Sequence, residues 1–338
     1  MRKTTKDEQA LVSSGKRSIA IGRNSASLQT KNSFSRAMKS GLVKENIELW
    51  IMILPVLALI FIFSYIPMYG ILIAFQRYIP GVPMLFSDKI KWVGFDNFVR
   101  FFESANFWRL IKNTAVLSAL NLLFGFWAPI IFALTLNEVR NQKFKKFTQT
   151  ASYLPYFISN VVVAGMLLSF LDMDGIVNNI AEALGGSRQA WRQNANAFPT
   201  IYTITNVWKG FGFNSILYLS AITSVDPALF ESARLDGARR LQLIRHITFP
   251  AILPTVAIML IMQIGSLLSA NSDLILLLYT PATYSTADVI GTYSYRVGLL
   301  GGEFSYTTAM GLFMTVINFA LVFISNKISN RVTGYALW

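Results

Sequence analysis

No charged residue falls between Glu48 and Arg77, none between Lys112 and Glu138, and none between Lys146 and Asp172. Runs of this length constrain the chain more than any other feature. A helix that crosses a hydrocarbon core about 30 Å thick needs roughly 20 apolar residues, each rising about 1.5 Å. Three further segments meet that need: Pro199–Thr223, interrupted only by Lys209, a stretch from Ala251 to Ala270, and a stretch between Glu303 and Lys327. The expected spans are 49–75, 115–136, 150–171, 199–223, 251–270 and 305–326. Leu274–Tyr279 is apolar but too short to cross, and reads as a re-entrant or interfacial segment. Charged residues make up 14% of the chain, against about 25% in soluble domains. They crowd into the gaps between the runs, as they do when the solvent is lipid. The expected fold is an all-α membrane protein with six transmembrane helices.

What is missing narrows the chemistry. There is no cysteine, so disulfides, thiolate metal sites and cysteine nucleophiles are excluded. The single histidine, His246, rules out a paired-histidine zinc site. No GxxxxGK[ST] phosphate loop is present, so ATP hydrolysis is not expected of this chain. Residues 1–48 hold ten Lys/Arg and four Asp/Glu with no apolar run, which reads as a largely disordered basic tail with a short helix near 40–48.

The net charge of +13 follows topology rather than nucleic acid. With the N-terminus inside, the inside segments 1–48, 137–150, 224–250 and 326–338 carry 20 Lys/Arg, and the outside segments 76–114, 172–198 and 271–306 carry 9. The bias sets both termini in the cytoplasm. Prolines and glycines recur inside the spans, among them Gly125, Pro129, Gly210, Gly212 and Pro254. They fit a bundle with a path through it, or close packing by small residues.

The most informative loop is 224–250, SVDPALFESARLDGARRLQLIRHITFP. Asp226-Pro227 is a helix-start signal, and Gly237 interrupts a run of helical apolar spacing, so a helix–break–helix is expected. By periodicity alone it is an amphipathic helix with arginines at lipid headgroups. Its spacing says more. Glu231-Ser232-Ala233, three residues, Gly237, nine residues, Ile247-Thr248-Phe249-Pro250 resembles the EAA signature of binding-protein-dependent ABC importer permeases. Ser232 stands for an alanine of that signature and Phe249 for a leucine. The stretches FSYIPMYGILIAF, WVGFDNFVRFF, SYLPYFISNVVVAG, VWKGFGFNSILYL and the closing GYALW are similar to the oligosaccharide branch of that family, over about residues 49–338.

The resemblance implies a type I ABC importer permease core in the bacterial inner membrane, with cytoplasmic EAA coupling helices. Its implied partners are a second related permease, two ATPase subunits that hold ATP and magnesium, and an extracellular solute-binding protein that delivers an oligosaccharide. It implies no catalytic residue, metal or cofactor on this chain. The coupling residues it points to are Glu231, Ser232, Ala233, Asp236, Gly237, Arg240, Ile247 and Pro250.

A sugar has polar edges and apolar faces, so its path should mix rings with amides and hydroxyls. Trp208 supplies a ring at span depth, and the resemblance to maltose-type permeases, carried over by position, implies Asn206, Lys209 and Gly210, with Tyr156, Asn160, Ser266 and Ser269, as path residues. Each amide could equally bond helix to helix. Lys209 is the sharpest of them, because a mid-span charge costs about 2.5–3.5 kcal/mol unless it faces a partner or water. It is expected to face a cavity, or to pair with a carboxylate such as Asp273, and the helix is expected to loosen at Gly210 and Gly212. A secondary transporter would need ion ligands inside the spans, and a membrane enzyme would need paired carboxylates or histidines at the membrane face. Neither accounts for the EAA spacing.

Overall fold

A computed structural model describes residues 47, 49–84, 88–269 and 271–338, and excludes the side chain of Ser269. The basic tail and its short helix therefore lie outside the described residues. The chain divides into two compact units, Met1–Gly70 and Ile71–Trp338. Helix α1, Leu49–Phe75, begins in the first unit and ends in the second. Every side chain from Leu49 to Tyr69 is exposed. A helix that is apolar on every face and buried on none is at home only in lipid.

In the second unit a two-residue ladder follows α1, with β1 (Gln76–Arg77) antiparallel to β2 (Lys91–Trp92). This is a small departure from an all-helical expectation. The amide of Asn97, on α2 (Asp96–Phe102), donates to the backbone oxygens of Ala74 (2.9 Å) and Gln76 (3.3 Å) and closes the turn.

Two long helices form the centre, α3 (Phe107–Asn137) and α7 (Phe198–Thr223). Between them in the chain lie α4 (Gln142–Tyr153), which tightens into Leu154–Phe157, α5 (Asn160–Phe170) and the short α6 (Ile176–Ala183). The α4–α5 pair turns through 98° at its break. Pro155 and the Ser159 N-cap, whose hydroxyl accepts from Val162 N at 3.3 Å, stop one helix and start the next.

The chain continues through α8 (Pro227–Leu235) and α9 (Arg240–Leu243), and a π-turn (Ile244–Thr248) leads into α10 (Phe249–Gly265). From Arg240 to Gly265 the helix is continuous for 26 residues. After α11 (Ser272–Leu278), α12 (Tyr284–Ala287) and α13 (Ile290–Ser294), the chain ends in α14 (Phe304–Thr333). Gly334, with φ +73°, stops α14 because the left-handed conformation carries no Cβ penalty at glycine.

Four helices among the described residues are long and apolar enough to cross a membrane: α1, α3, α9–α10 and α14. The bent pair α4–α5 makes a fifth if it counts as one span. Helix α7 is 26 residues long but more polar. Several helices overrun the charge-free windows. Helix α3 begins at Phe107 rather than near 115 and includes Arg109 and Lys112, and α14 runs to Thr333 past Lys327. Charges mark where lipid ends, not where the helix ends.

Apolar side chains close three cores. Phe126, Ile130 and Ala133 of α3 meet Tyr218 and Ile222 of α7 and Ile252 of α10. Leu117, Val163 and Tyr202 enclose Leu274 and Ile275 of α11. The Leu274 and Ile275 side chains are fully buried, which does not fit an interfacial segment and is compatible with the re-entrant alternative. Phe101 and Leu110 pack on Tyr306 and Met310 of α14.

Candidate functional site

The loop 224–250 folds as two helices about a glycine. The Asp226 carboxylate accepts from Ala228 N at 2.9 Å and caps α8, with Pro227 in the first turn. At the other end Ala238 N donates to Ala233 O (2.9 Å) and Gly237 N to Arg234 O (3.1 Å), the paired bonds of a Schellman stop. Gly237 sits at φ +81°, where a side chain would be strained. Arg239 N then donates to Gln242 Oε1 at 2.7 Å and starts α9.

Glu231, Ser232, Asp236 and Arg240 are exposed along this corner, while Ala233 and Ile247 are half-buried and Pro250 is exposed at the start of α10. Leu235 is 90% exposed and Leu241 79%. A groove of about 960 Å³ runs between the corner and Asn137–Arg140 at the end of α3, edged by Glu231, Arg234, Arg239 and Arg240. Two apolar side chains thus stand exposed beside a groove edged with charge.

The second site is a polar cleft of about 440 Å³. It is lined by Asn121 and Gly125 of α3, Tyr156 and Asn160 at the α4–α5 break, Asn206, Val207, Lys209, Gly210, Phe211 and Asn214 of α7, Gln263 of α10, and Asn271. The Lys209 ammonium donates to Asn160 Oδ1. That bond turns the Asn160 amide nitrogen outward, and it donates to Asn271 Oδ1 at 3.3 Å. Asn271 in turn donates to Asn206 Oδ1 at 3.4 Å, and Asn206 to the Tyr202 hydroxyl at 3.5 Å. The result is a ladder of amides with one polarity, started by a charge. Neither Lys209 nor Asp273 takes part in an ion pair among the described residues. The Tyr156 ring stacks on Phe213 at 3.9 Å between centroids, and offers an aromatic edge to the cleft.

Tyr156, Asn160, Asn206, Lys209 and Gly210 thus share one cleft. Trp208 lies on an apolar groove with Phe124, Ile204 and Phe211, on another side of α7. Ser266 turns its hydroxyl back to Gln263 O at 3.2 Å and does not line the cleft. The side chain of Ser269 is outside the described set. Helix α7 does not loosen at Gly210 and Gly212 but runs unbroken. A Cβ on Gly212 would stand 2.0 Å from Ser152 O, so this glycine serves a close helix crossing. Asn121, Asn214 and Asn271 were not singled out from the sequence. An amide inside or beside a charge-free window was the available signal for all three.

A second charged cluster lies among α3, α12 and α13. Asp288, fully buried, pairs with Arg296 at 2.7 Å and Arg109 at 3.5 Å. Thr292 donates to the same carboxylate at 2.9 Å. The Arg296 guanidinium also lies over the Tyr284 ring at 4.5 Å. Burial pulls the Arg296 pKa down, but the bond to Asp288 and its charge, with Tyr279, hold it above the ordinary arginine value.

Comparison with known proteins decides what such a chain is. Residues 125–334 match the family model described as "Binding-protein-dependent transport system inner membrane component". The chain belongs to that family. The permease is similar to YteP of Bacillus subtilis (strain 168), a polygalacturonan/rhamnogalacturonan transport system permease protein. The two are 41% identical over 284 residues, which cover 84% of this chain and 88% of that one. LplB of the same organism is 39% identical, with 86% and 90% covered. Among solved structures, a chain of a bacterial ABC transporter involved in the import of the acidic polysaccharide alginate superposes with a TM-score of 0.79 at 44% identity, covering 86% of this permease and 98% of that chain. In complex with an alginate pentasaccharide-bound periplasmic protein, the alginate ABC transporter gives a TM-score of 0.80 at the same identity, with 87% and 98% covered. The permease is therefore a multi-pass membrane component of an importer and not an enzyme.

Proposed function

We propose that this permease forms, with a second related permease, the path by which an oligosaccharide enters the cell. An extracellular solute-binding protein delivers the sugar, and two separate ATPase subunits hold ATP and magnesium. The chain crosses the membrane six times, by α1, α3, the bent pair α4–α5, α7, α9–α10 and α14. Both termini lie in the cytoplasm, as the Lys/Arg bias requires. The corner of α8 and α9 is the coupling element, with Glu231, Ser232, Ala233, Asp236, Gly237, Arg240, Ile247 and Pro250 at or behind its contact with an ATPase subunit. The cleft around Asn160, Asn206 and Lys209 is this chain's share of the sugar path.

The observation that carries the reading is the pairing of these two sites in one chain. A stiff corner with exposed leucines can take a push from an ATPase dimer, and an amide-lined cleft between α3, α7 and the α4–α5 break can exchange hydrogen bonds with sugar hydroxyls. Rocking one rigid bundle against another about a fixed site links the two. The names of relatives, permease proteins of polygalacturonan/rhamnogalacturonan and arabinooligosaccharides transport systems and a chain of an alginate importer, support an oligosaccharide cargo.

Gly237→Val tests the coupling. At φ +81° a branched side chain is strained, by about 1–3 kcal/mol, and the corner must open. In proteoliposomes holding both permeases, the ATPase and the binding protein, the variant should lose most sugar uptake, with ATP hydrolysis no longer stimulated by loaded binding protein. Wild-type uptake at wild-type assembly would sink the coupling assignment.

A further inference from the structure

We propose that the cleft reads a carboxylate, and that Lys209 is the residue by which this permease favours acidic oligosaccharides over neutral ones of the same length. The proposal rests on the reading of the cleft as sugar path, and deepens it. Among the described residues, Lys209 is the one charged side chain lining the cleft; the other lining residues are amides, aromatic rings, glycines and a valine. Its ammonium bonds the neutral oxygen of Asn160. A primary ammonium has three protons to donate, and a single amide leaves it without a counter-charge in a low-dielectric setting.

Neutral sugar hydroxyls would be served by the amides alone. A cation adds nothing for them that offsets its cost in mid-span. A carboxylate supplies what is missing, a negative charge within reach of a charge-assisted bond. The surroundings favour the same sign. Asn160 is the first residue of α5, an 11-residue helix whose N-terminus begins at the break beside the cleft. The positive end of its dipole adds to the potential of Lys209. Broken transmembrane helices commonly turn their N-terminal ends toward anionic groups of a cargo. The contrast within the chain points the same way, since Arg109 and Arg296 are closed on the buried Asp288.

The test uses the complete importer in proteoliposomes, with tetragalacturonate and its fully methyl-esterified counterpart as probes. The two differ in charge and share a backbone. Wild type, Lys209→Gln and Lys209→Arg are compared at equal assembly, measured by copurification of all subunits. The binding protein is common to all variants, so its own selectivity divides out. Glutamine can still donate to Asn160 but carries no charge. Lys209→Gln should lower uptake of the acid about tenfold or more, with the ester falling far less, and Lys209→Arg should retain most of the acid uptake. Where wild type does not carry the ester, the loss with glutamine against the retention with arginine decides. An equal fall for acid and ester, or arginine failing as fully as glutamine, overturns the proposal. Failure of all subunits to copurify with Lys209→Gln also overturns it, because it assigns the ammonium to a carboxylate of the second permease. If wild type carries neither probe, nor any neutral tetrasaccharide offered beside them, the oligosaccharide reading itself fails.

Discussion

Two cation sites in this permease are built on opposite plans. Around Asp288 a fully buried carboxylate holds two arginines and a threonine hydroxyl, and one of the arginines lies over the Tyr284 ring. Around Lys209 the ammonium bonds a single neutral amide, and the cleft stays open beside it. The first site has its counter-charge within the chain, although Arg109 Nε is buried without a partner, and it ties the segment after α12 to α3. The second lacks a counter-charge among the described residues, and such a site has room for a visitor. Protein chains use the same chemistry for both purposes; what separates them is whether the counter-charge is already present.

Substitutions should separate the two sites sharply. Asp288→Asn keeps the size of the side chain and strands two guanidinium groups. The cost should be the largest of the set, about 3 kcal/mol, held below the upper range because Arg109 and Arg296 keep partial access to water. The purified complex should melt lower or fail to accumulate, and an unchanged melting temperature would put the two clusters on the same footing. Asn271→Ala removes the middle rung of the ladder, leaving Asn160 and Asn206 each short of one partner. A loss of about 1 kcal/mol is expected, seen as a modest drop in melting temperature with a larger drop in uptake. Lys209→Gln should move stability least, by less than about 0.5 kcal/mol. It gives up a charge-assisted bond and, with it, the penalty for an ammonium at mid-membrane depth. A collapse in thermal stability on that change would mean that the site is closed after all.

How much of this was visible before folding depends on how local each feature is. The corner at Gly237 is written in consecutive residues: an Asp-Pro start, a glycine stop and a fixed interval to Pro250. Its geometry follows from caps and a left-handed glycine, which act over a few positions. The helices were legible where charge is absent, but their ends were not, because Arg109, Lys112 and Lys327 continue a helix past the lipid-like window. The cleft was half legible. Trp208 is next to Lys209 in sequence, yet adjacent helical residues point about 100° apart, so one lines an apolar groove and the other the cleft. Asn271 stands outside every expected span and reaches the ladder only because α11 folds back into the core through Leu274 and Ile275. Gly212 reads as a weak point in a helix until Ser152 is seen against it. Such contacts between distant segments leave no periodic trace.

The right-angled break between α4 and α5 has a metric consequence. Laid straight, residues 142–170 would reach about 43 Å at the α-helical rise. Turned through 98°, arms of 16 and 11 residues leave their far ends only about 27 Å apart. Lys143, Lys145 and Lys146 open the first arm, so in the proposed topology that arm starts outside the hydrocarbon slab, about 30 Å thick, and carries the elbow into it. Lipid offers nothing to the peptide groups freed at an elbow. They need an aqueous lining or protein on that side, and the elbow carries Asn160 and the start of the polar cleft. In that topology the bend brings polar backbone to membrane depth, and the wall of a conduit is where such backbone can stay.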